Sequence, residues 1–283
     1  MKIQPISENF GAVVTEINLA EITANQFQQI QSAWDTYSVL VFPGQGLTDD
    51  EHLHFTCRFG KLERGLKKQG KPRPGAISNV DSSGNIVPIS DIKARFNIGN
   101  SLWHTDSSYK RVGAKASLLA AHVVPTHGGE TEWADMRAGY DALGNDLKEW
   151  LSDKIAVHNY RWSHAWHGGL EILNNDELQE LPPVEHPIIR KHPDSGRMIL
   201  FIGRHASHIV GEPLETSRKL LRELTDNAAQ SPRTWKYSWH PGDLAIWDNR
   251  CVLHRGHSFP SDQARIMVRT TVAGDAPDNE WAA

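Results

Sequence analysis

Two residues of the run Asn100-Ser101-Leu102-Trp103-His104-Thr105-Asp106 carry groups able to hold a metal ion. In an extended segment alternate side chains leave on one face, so His104 and Asp106 point the same way, about 7 Å apart at the backbone. An imidazole and a carboxylate are two of the three ligands of the 2-His-1-carboxylate arrangement, which leaves positions open on a non-heme iron(II). A His-x-Asp pair also fits the polar face of any strand end. A second histidine has to come from elsewhere before the metal reading holds.

The candidate is His254, in Trp247-Asp248-Asn249-Arg250-Cys251-Val252-Leu253-His254-Arg255-Gly256. It closes an apolar strand just before a glycine turn, a position that opens at a barrel mouth. Any one of the fifteen histidines could instead be a hydrogen-bonded core residue. The chain then returns as Arg265-Ile266-Met267-Val268-Arg269, with the two arginines on one face and the aliphatics on the other. Arginines facing water would make this an ordinary outer strand. Turned inward, they would need anionic ligands to offset their desolvation. A planar guanidinium suits a carboxylate, through two parallel hydrogen bonds. The pattern leaves both readings open.

Such ligands need strands to carry them. Gly11 to Leu19 reads as a short strand and Asn25 to Asp35 as a helix, with Phe27, Ile30 and Trp34 on one stripe. Ser38 to Phe42 is an apolar strand stopped by Pro43-Gly44. Thr48 with Glu51 three residues on has the capping-box pattern of a helix that Gly60 ends. The basic stretch Arg64 to Pro74 predicts a solvated loop, or a lid over an anionic ligand. Ile77 to Ile89 predicts a hairpin turning at Ser82-Ser83-Gly84-Asn85. Strands follow at Ala116 to Val124 and Glu130 to Ala134, then short helices at Asp135 to Gly144 and Asn145 to Ser152. The ring-rich stretch His158 to Gly169 predicts an irregular surface loop, or a wall of a substrate pocket. A hairpin around Asp194-Ser195-Gly196 and an amphipathic helix over Thr216 to Ala229 come next. Strands Thr234 to Trp239, Asp243 to Trp247, Cys251 to His254 and Arg265 to Val272 complete the chain. With no repeats or linkers, this predicts a single domain over residues 1–283, mainly β with a few packed helices: a double-sheet jelly-roll barrel.

Composition narrows the class. Of 283 residues, 39% are hydrophobic and 23% charged, which fits a globular chain with a substantial core. A net charge of −4 gives no reason to expect nucleic acid as a partner. No stretch reaches the length of a membrane span, and Met1 to Ile6 lacks the apolar region of a secretory leader. Cys57 and Cys251 are too few for a disulfide framework and lack metal-binding spacing, so a reducing, cytoplasmic location is expected.

Read together, His104-Thr105-Asp106, Gly128-Gly129-Glu130-Thr131, Trp247-Asp248-Asn249-Arg250, His254-Arg255-Gly256 and the arginine eleven residues beyond that histidine have a familiar order. They resemble the iron(II)/2-oxoglutarate dioxygenases typified by taurine dioxygenase and 2,4-dichlorophenoxyacetate dioxygenase. The likeness runs from Val39 to Thr271. It is closer to the phenoxyacetate side at Phe201 to His208, Asp135 to Asp141 and Asp248 to Gly256. The resemblance implies a distorted double-stranded β-helix, the cupin-like jelly roll. It implies Fe(II) on His104, Asp106 and His254, and 2-oxoglutarate with its distal carboxylate on Arg265 and the Thr131 hydroxyl. O2 is the oxidant, with succinate and carbon dioxide as co-products. Arg269 matches a position that holds the substrate's carboxylate or sulfonate in several members. Asp106 argues against the halogenase variants, in which a small residue vacates that place. A homo-oligomer is also implied.

The substrate expected is a small organic anion, first of all an aryloxyalkanoate. Hydroxylation next to its ether oxygen would give a hemiacetal that releases a phenol, a step in degrading aromatic xenobiotics. A sulfonate such as taurine, another small carboxylate, an amino-acid derivative or a heterocycle are the alternatives. Arg269, His208, Asn100 and Trp103 are the candidate substrate contacts, with His208 preferred to His205 and Trp247 as a further wall. Arg204 departs from the phenoxyacetate likeness, where a small residue is expected, and so do the Arg64 to Pro74 and His158 to His167 segments. Two other classes share some of these features. One is a non-catalytic cupin-like barrel that keeps a metal without 2-oxoglutarate affinity. The other is a zinc hydrolase, since zinc also takes two histidines and a carboxylate; Arg265 and Thr131 argue against it.

Overall fold

The apolar run Val39–Phe42 (β3) lies in the middle of a seven-stranded sheet, where all four of its residues are buried. A computed structural model describes residues 1–64, 74–88, 90–92, 94, 98–165 and 170–275. The expected lid over Arg64 to Pro74 falls on residues 65–73 and, like residues 166–169, lies outside the described residues. The strand order of the large sheet is β1 (Lys2–Pro5), β2 (Ala12–Thr15), β3, β13 (Leu244–Asp248), β5 (Ala116–Val123), β15 (Ile266–Val272) and β4 (Gly75–Ser78). Every neighbouring pair is antiparallel except β2 and β3.

This sheet is covered on both faces, which is why its central strands read as unbroken apolar runs rather than alternating ones. Leu40, Phe42, Leu118, Ala120, Leu244 and Ile246 pack on one side with Ile30 and Trp34 of helix α1 (Ala24–Tyr37) and Phe55 of α2 (Asp49–Cys57). Val39, Val41, Leu119, Ala121, Ala245 and Trp247 face the other way, into the barrel, where they meet Trp133, Phe201 and Val252. A second layer of strands supplies those partners. It includes β12 (Thr234–Tyr237), β6 (Thr131–Asp135) and β14 (Val252–Gly256), joined in that order, and β11 (Ala206–Ile209), β7 (Ile155–His158) and β8 (Val184–Pro187). The pair β9 (Ile189–Lys191) and β10 (Met198–Leu200) forms the expected hairpin. The two layers make the double-stranded β-helix, the jelly roll anticipated from sequence.

Local signals held at several places. Thr48 and Glu51 form the reciprocal capping box at the start of α2, and Thr23 with Gln26 forms another at α1. Short helices α3 (Met136–Asp141) and α4 (Asn145–Leu151) follow β6, the first capped by Asp135. Two expectations need correction. The hairpin over Ile77 to Ile89 has a turn, with the Asp81 carboxylate accepting from the backbone of Ser83 and Asn85, but among the described residues its arms form only the single bridge Val80–Ile86. Strand β4 pairs with β15 instead. The stretch from His158 is not an irregular surface loop: Tyr160–Ala165 is a helix, α5, with Tyr160, Ser163 and His164 buried. Asn159 explains it, since its side chain accepts the Trp162 N–H while its own N–H is tied to His205 O. After α6 (Asn175–Gln179), the amphipathic helix α7 (Leu214–Ala228) covers the outside of the barrel, with Leu221, Leu224 and Ala228 against Ala206, Ile209 and Leu253.

Candidate active site

His104 and His254 stand opposite each other in an isolated antiparallel bridge. The His104 N–H donates to His254 O at 3.1 Å, and the His254 N–H to His104 O at 2.7 Å. That pairing sets the two rings side by side, 4.1 Å between centroids. Asp106, two residues on, brings its Oδ2 to 3.7 Å from His254 Nε2. One donor atom from each of the three lies within 4.8 Å of the other two, and all three side chains are buried. A lone strand end has thus become a three-donor cluster, because the partner backbone arrives from 150 residues away in sequence.

The donors are in the protonation states a cation requires. Burial keeps both imidazoles neutral, His254 at about 4 and His104 well below the usual histidine range. Burial opposes ionisation of Asp106, but the Arg269 guanidinium and the neighbouring histidines outweigh it and hold the carboxyl below its ordinary range. His104 Nδ1 is 2.7 Å from Leu102 O, which places the proton on Nδ1 and leaves Nε2 as a lone-pair donor. Two neutral imidazoles and a carboxylate suit a divalent iron.

A buried network steers the carboxylate. The Ser117 hydroxyl donates to Asp106 Oδ2 at 2.6 Å, and Asn249 Nδ2 donates to Ser117 Oγ at 2.8 Å. Asn249 Oδ1 accepts from Trp247 Nε1 at 3.0 Å and from the Asp106 N–H at 3.3 Å. Trp247 also backs the His254 ring, 4.6 Å between centroids. One other buried group of potential ligands, His192, Asp248 and Cys251, sits together among the described residues. Its donors are already committed. Asp248 accepts from His192 and from Arg250 at 2.6 and 2.8 Å, and His192 Nδ1 accepts the Ser195 N–H.

Arg269 and Arg204 border the cluster, Arg265 stands four residues before Arg269, and their partners differ. Arg265 precedes β15; its Nη2 donates to Gly129 O at 3.1 Å, while its Nε is enclosed with no hydrogen-bond partner. Burial lowers its pKa to about 10. Thr131 starts β6 on the same turn, its buried hydroxyl accepting from Trp239 Nε1 at 3.0 Å. Arg269, four residues further on and within β15, donates to Asp106 Oδ1 at 2.8 Å, with 33% of its side chain accessible. Arg204 donates through Nη2 to His164 Nε2 at 2.6 Å, and its Nε too is enclosed without a partner.

Of the remaining sequence candidates, Trp103 is buried in the outer core, with the Arg255 guanidinium 4.4 Å above its ring. Asn100 sits in the short 3-10 turn Gly99–Ser101, next to the end of β14. His208 is half-buried on β11 and its Nδ1 meets Ser207 Oγ, whereas it is His205 that packs edge-on to His104 at 6.5 Å. Around His205 lie Tyr109 at 4.9 Å and Tyr160 at 6.0 Å, with His164 against Tyr160. Sequence reasoning did not single out these tyrosines, nor Ser117. A cavity of about 270 Å³ lies beside the site, between Leu102–Trp103, Trp162, Arg204 and Leu221 of α7.

The description "Taurine catabolism dioxygenase TauD, TfdA family" matches residues 2–271 of the chain. The (S)-phenoxypropionate/alpha-ketoglutarate-dioxygenase of Sphingobium herbicidovorans is 41% identical over 288 residues, covering 99% of this chain and 97% of that enzyme. The alpha-ketoglutarate-dependent 2,4-dichlorophenoxyacetate dioxygenase of Cupriavidus pinatubonensis is 40% identical over 281 residues, covering 96% and 97%. The crystal structure of AAD-2 in complex with Mn(II) and N-oxalylglycine superposes with a TM-score of 0.89 at 35% identity, covering 98% of each chain.

Proposed function

The chain belongs to this family of dioxygenases that depend on iron(II), 2-oxoglutarate and O2, and from that premise we propose that its substrate is an aryloxyalkanoate carboxylate. One observation carries the choice: two relatives at about 40% identity, aligned over nearly their whole length, are named for phenoxypropionate and dichlorophenoxyacetate. In this reading His104, Asp106 and His254 would hold the iron. Arg265 and Thr131 hold the distal carboxylate of 2-oxoglutarate, supported by an enclosed guanidinium that has no acid of its own among the described residues. The bound iron with its cosubstrate supplies the oxidising power that inserts one oxygen atom of O2 into a C–H bond and yields succinate and carbon dioxide.

The protein's own part is placement. Ser117 and Asn249 fix the orientation of Asp106, and the His104–His254 backbone pairing fixes the two rings. The half-buried Tyr109 and the buried Tyr160 and His205 line a wall of rings beside His104, suited to keeping water from the reacting carbon. Hydroxylation beside the ether oxygen then gives a hemiacetal whose C–O bond breaks to a phenol and a 2-oxo acid. Residues 1–283 act as one domain in this proposal, supported by a sheet that joins β1 near one end to β15 near the other. The protein works as a homo-oligomer in the cytoplasm; no described helix is long and apolar enough to cross a membrane.

The test is succinate and phenol formation with a panel of phenoxyacetate, (S)-2-phenoxypropionate, taurine, a short alkyl sulfate and phenoxyacetamide. Succinate and phenol should form in equal amounts with the two phenoxy acids. Coupled turnover of taurine or the sulfate alone, or of the uncharged amide in preference to the acids, would defeat the assignment.

A further inference from the structure

Aromatic rings run in unbroken succession from the candidate iron centre to the edge of the barrel. In sequence the carrier is Trp235-Lys236-Tyr237-Ser238-Trp239, where period-two alternation sends three rings to one face of β12 and the residues just past it. Register aligns them with the site: Trp235 stands opposite Trp133 on β6, and Trp133 opposite His254 on β14. Cross-strand partners share a face of a sheet, so Trp235, Trp133 and His254 form one row across three strands. Trp247 closes on that row from the facing sheet, its ring 4.6 Å from His254 and 6.0 Å from Trp133, centroid to centroid. From Trp133 the rings divide, to Trp235 at 5.3 Å and to Trp239 at 6.4 Å. Both branches meet again at Tyr237, at 6.0 and 5.5 Å.

Core packing explains rings in contact, but not how their polar atoms are placed. Trp247 and Trp239 give their N–H groups to Asn249 Oδ1 and Thr131 Oγ1. Trp133, wholly buried at the branch point, has an indole N–H with no hydrogen-bond partner. Once oxidised it has no base within reach to take that proton, so it refills from a neighbouring ring instead of settling as a neutral radical. Tyr237 is the opposite case. It is half-buried at the far end, and its hydroxyl donates to the Asp243 carboxylate at 2.9 Å. The backbone N–H groups of Gly44 and His240 donate to the same carboxylate and hold it in place. A phenol that passes its proton to a carboxylate as it loses an electron is the easiest of these rings to oxidise, so the missing electron comes to rest there.

We propose that these rings form an electron relay that drains the active site when it turns over without an organic substrate. This rests on the reading of the chain as an iron(II)- and 2-oxoglutarate-dependent dioxygenase. Conversion of 2-oxoglutarate to succinate and carbon dioxide uses one oxygen atom of O2 and leaves two oxidising equivalents, which a substrate C–H bond normally consumes. With none in place, Trp247 supplies one electron and is refilled through Trp133, and Trp235 or Trp239, from Tyr237, whose proton passes to Asp243. A one-electron reductant of the ascorbate class in solution restores Tyr237, and the proton returns from Asp243. Two such passages, with two protons from solvent, reduce the second oxygen atom to water.

Two measurements test the relay. In the metal-free protein, azide radicals made by pulse radiolysis oxidise tryptophan. The tryptophanyl absorption of wild type should then decay into a tyrosyl absorption, and Tyr237→Phe should lose that second phase. In protein loaded with Fe(II) and 2-oxoglutarate, oxygen without organic substrate should give a tyrosyl radical by freeze-quench electron paramagnetic resonance. Ascorbate should quench that signal, and both Tyr237→Phe and Trp133→Phe should lose it. Tyr237→Phe should inactivate after several-fold fewer uncoupled turnovers, while its coupled turnover of substrate stays as in wild type. Circular dichroism and Mn(II) affinity show whether Trp133→Phe keeps the fold; if it does not, Tyr237→Phe at the outer end decides alone. An undiminished radical in Tyr237→Phe, or in a folded Trp133→Phe, would overturn the relay. So would a wild type that consumes 2-oxoglutarate without ever forming the radical. A wild type that consumes no 2-oxoglutarate, yet passes electrons from Tyr237 in the metal-free protein, would sink the dioxygenase reading and this use of the rings with it.

Discussion

Arg265 shows how much one side chain decides. Its neighbours among the described residues provide a backbone carbonyl and the face of Phe259, 5.7 Å from the guanidinium, but no acid. A charge held in that state gains by binding a carboxylate and has little to gain otherwise. Arg265→Ala should therefore weaken 2-oxoglutarate by roughly 10- to 100-fold, the worth of a charged hydrogen-bonded pair. Anaerobic titration of 2-oxoglutarate into the Fe(II) protein, followed by its visible charge-transfer absorption, measures this. Unchanged affinity would mean that the cosubstrate is held elsewhere. The three candidate ligands and Arg265 were legible in the sequence through the order they share with a known family, since their spacing alone left the bland readings open. Ser117, Tyr109 and Tyr160 were not. A serine in an apolar strand, or a tyrosine beside a polar run, carries no mark of the carboxylate or imidazole it will face until the barrel closes. His205 and His208 differ by three positions: His205 stands in the turn before β11 and packs against His104, whereas His208 lies within β11 beyond its register shift.

Among the elements, the turn Gly203–His205 does the most for the site although it is neither helix nor strand. Gly203 has φ of +126°, and a β-carbon there would meet Leu253 Cδ2 at 3.1 Å, Trp103 O at 3.2 Å and His104 Cα at 3.4 Å. A side chain at this point would press on the backbone that carries His104. Gly203→Val is expected to lower divalent-metal affinity at least tenfold, since misplacing one ligand forfeits much of a three-donor site. Metal titration alongside circular dichroism separates that outcome from unfolding. Metal binding as tight as in wild type would show that the turn yields without moving His104. The strands themselves were largely readable, because β3, β5 and β13 are buried on both faces and helices α1 and α2 announce their caps. The α5 helix was not readable. Its six residues are too few to show a period, and the Asn159 cap that starts it is held by a backbone contact with His205.

At the scale of the whole molecule, the interior that favours anion binding at Arg265 also sets the protein's response to acid. His52 and His186 are buried outside the cluster. Burial, with His122 against the first and Arg190 against the second, brings each to about 4. In the unfolded chain each would titrate near 6.5. Above that pH both are neutral in both states, and they add nothing to the pH dependence. As pH falls from about 6.5 towards about 4, the unfolded chain takes up protons that the folded barrel refuses, so stability declines by about 1.4 kcal/mol per pH unit for each ring. The full loss approaches roughly 3 kcal/mol per histidine, a substantial share of a typical domain's stability. Depressed carboxyls such as Asp248, tied to Arg250 and His192, enter only below the ordinary aspartate range. The descent from neutral pH to about 4 therefore belongs to histidine. Urea unfolding of the metal-free protein at pH 8, 6.5, 5.5 and 4.5 should show a plateau and then a fall, and His52→Gln should reduce the slope by about one proton's worth. That variant keeps a hydrogen-bonding group near Thr270 Oγ1, which lies 3.0 Å from His52 Nε2. An identical slope in the variant would mean that His52 finds a proton inside the fold, and that its side of the barrel is wetter than its burial implies.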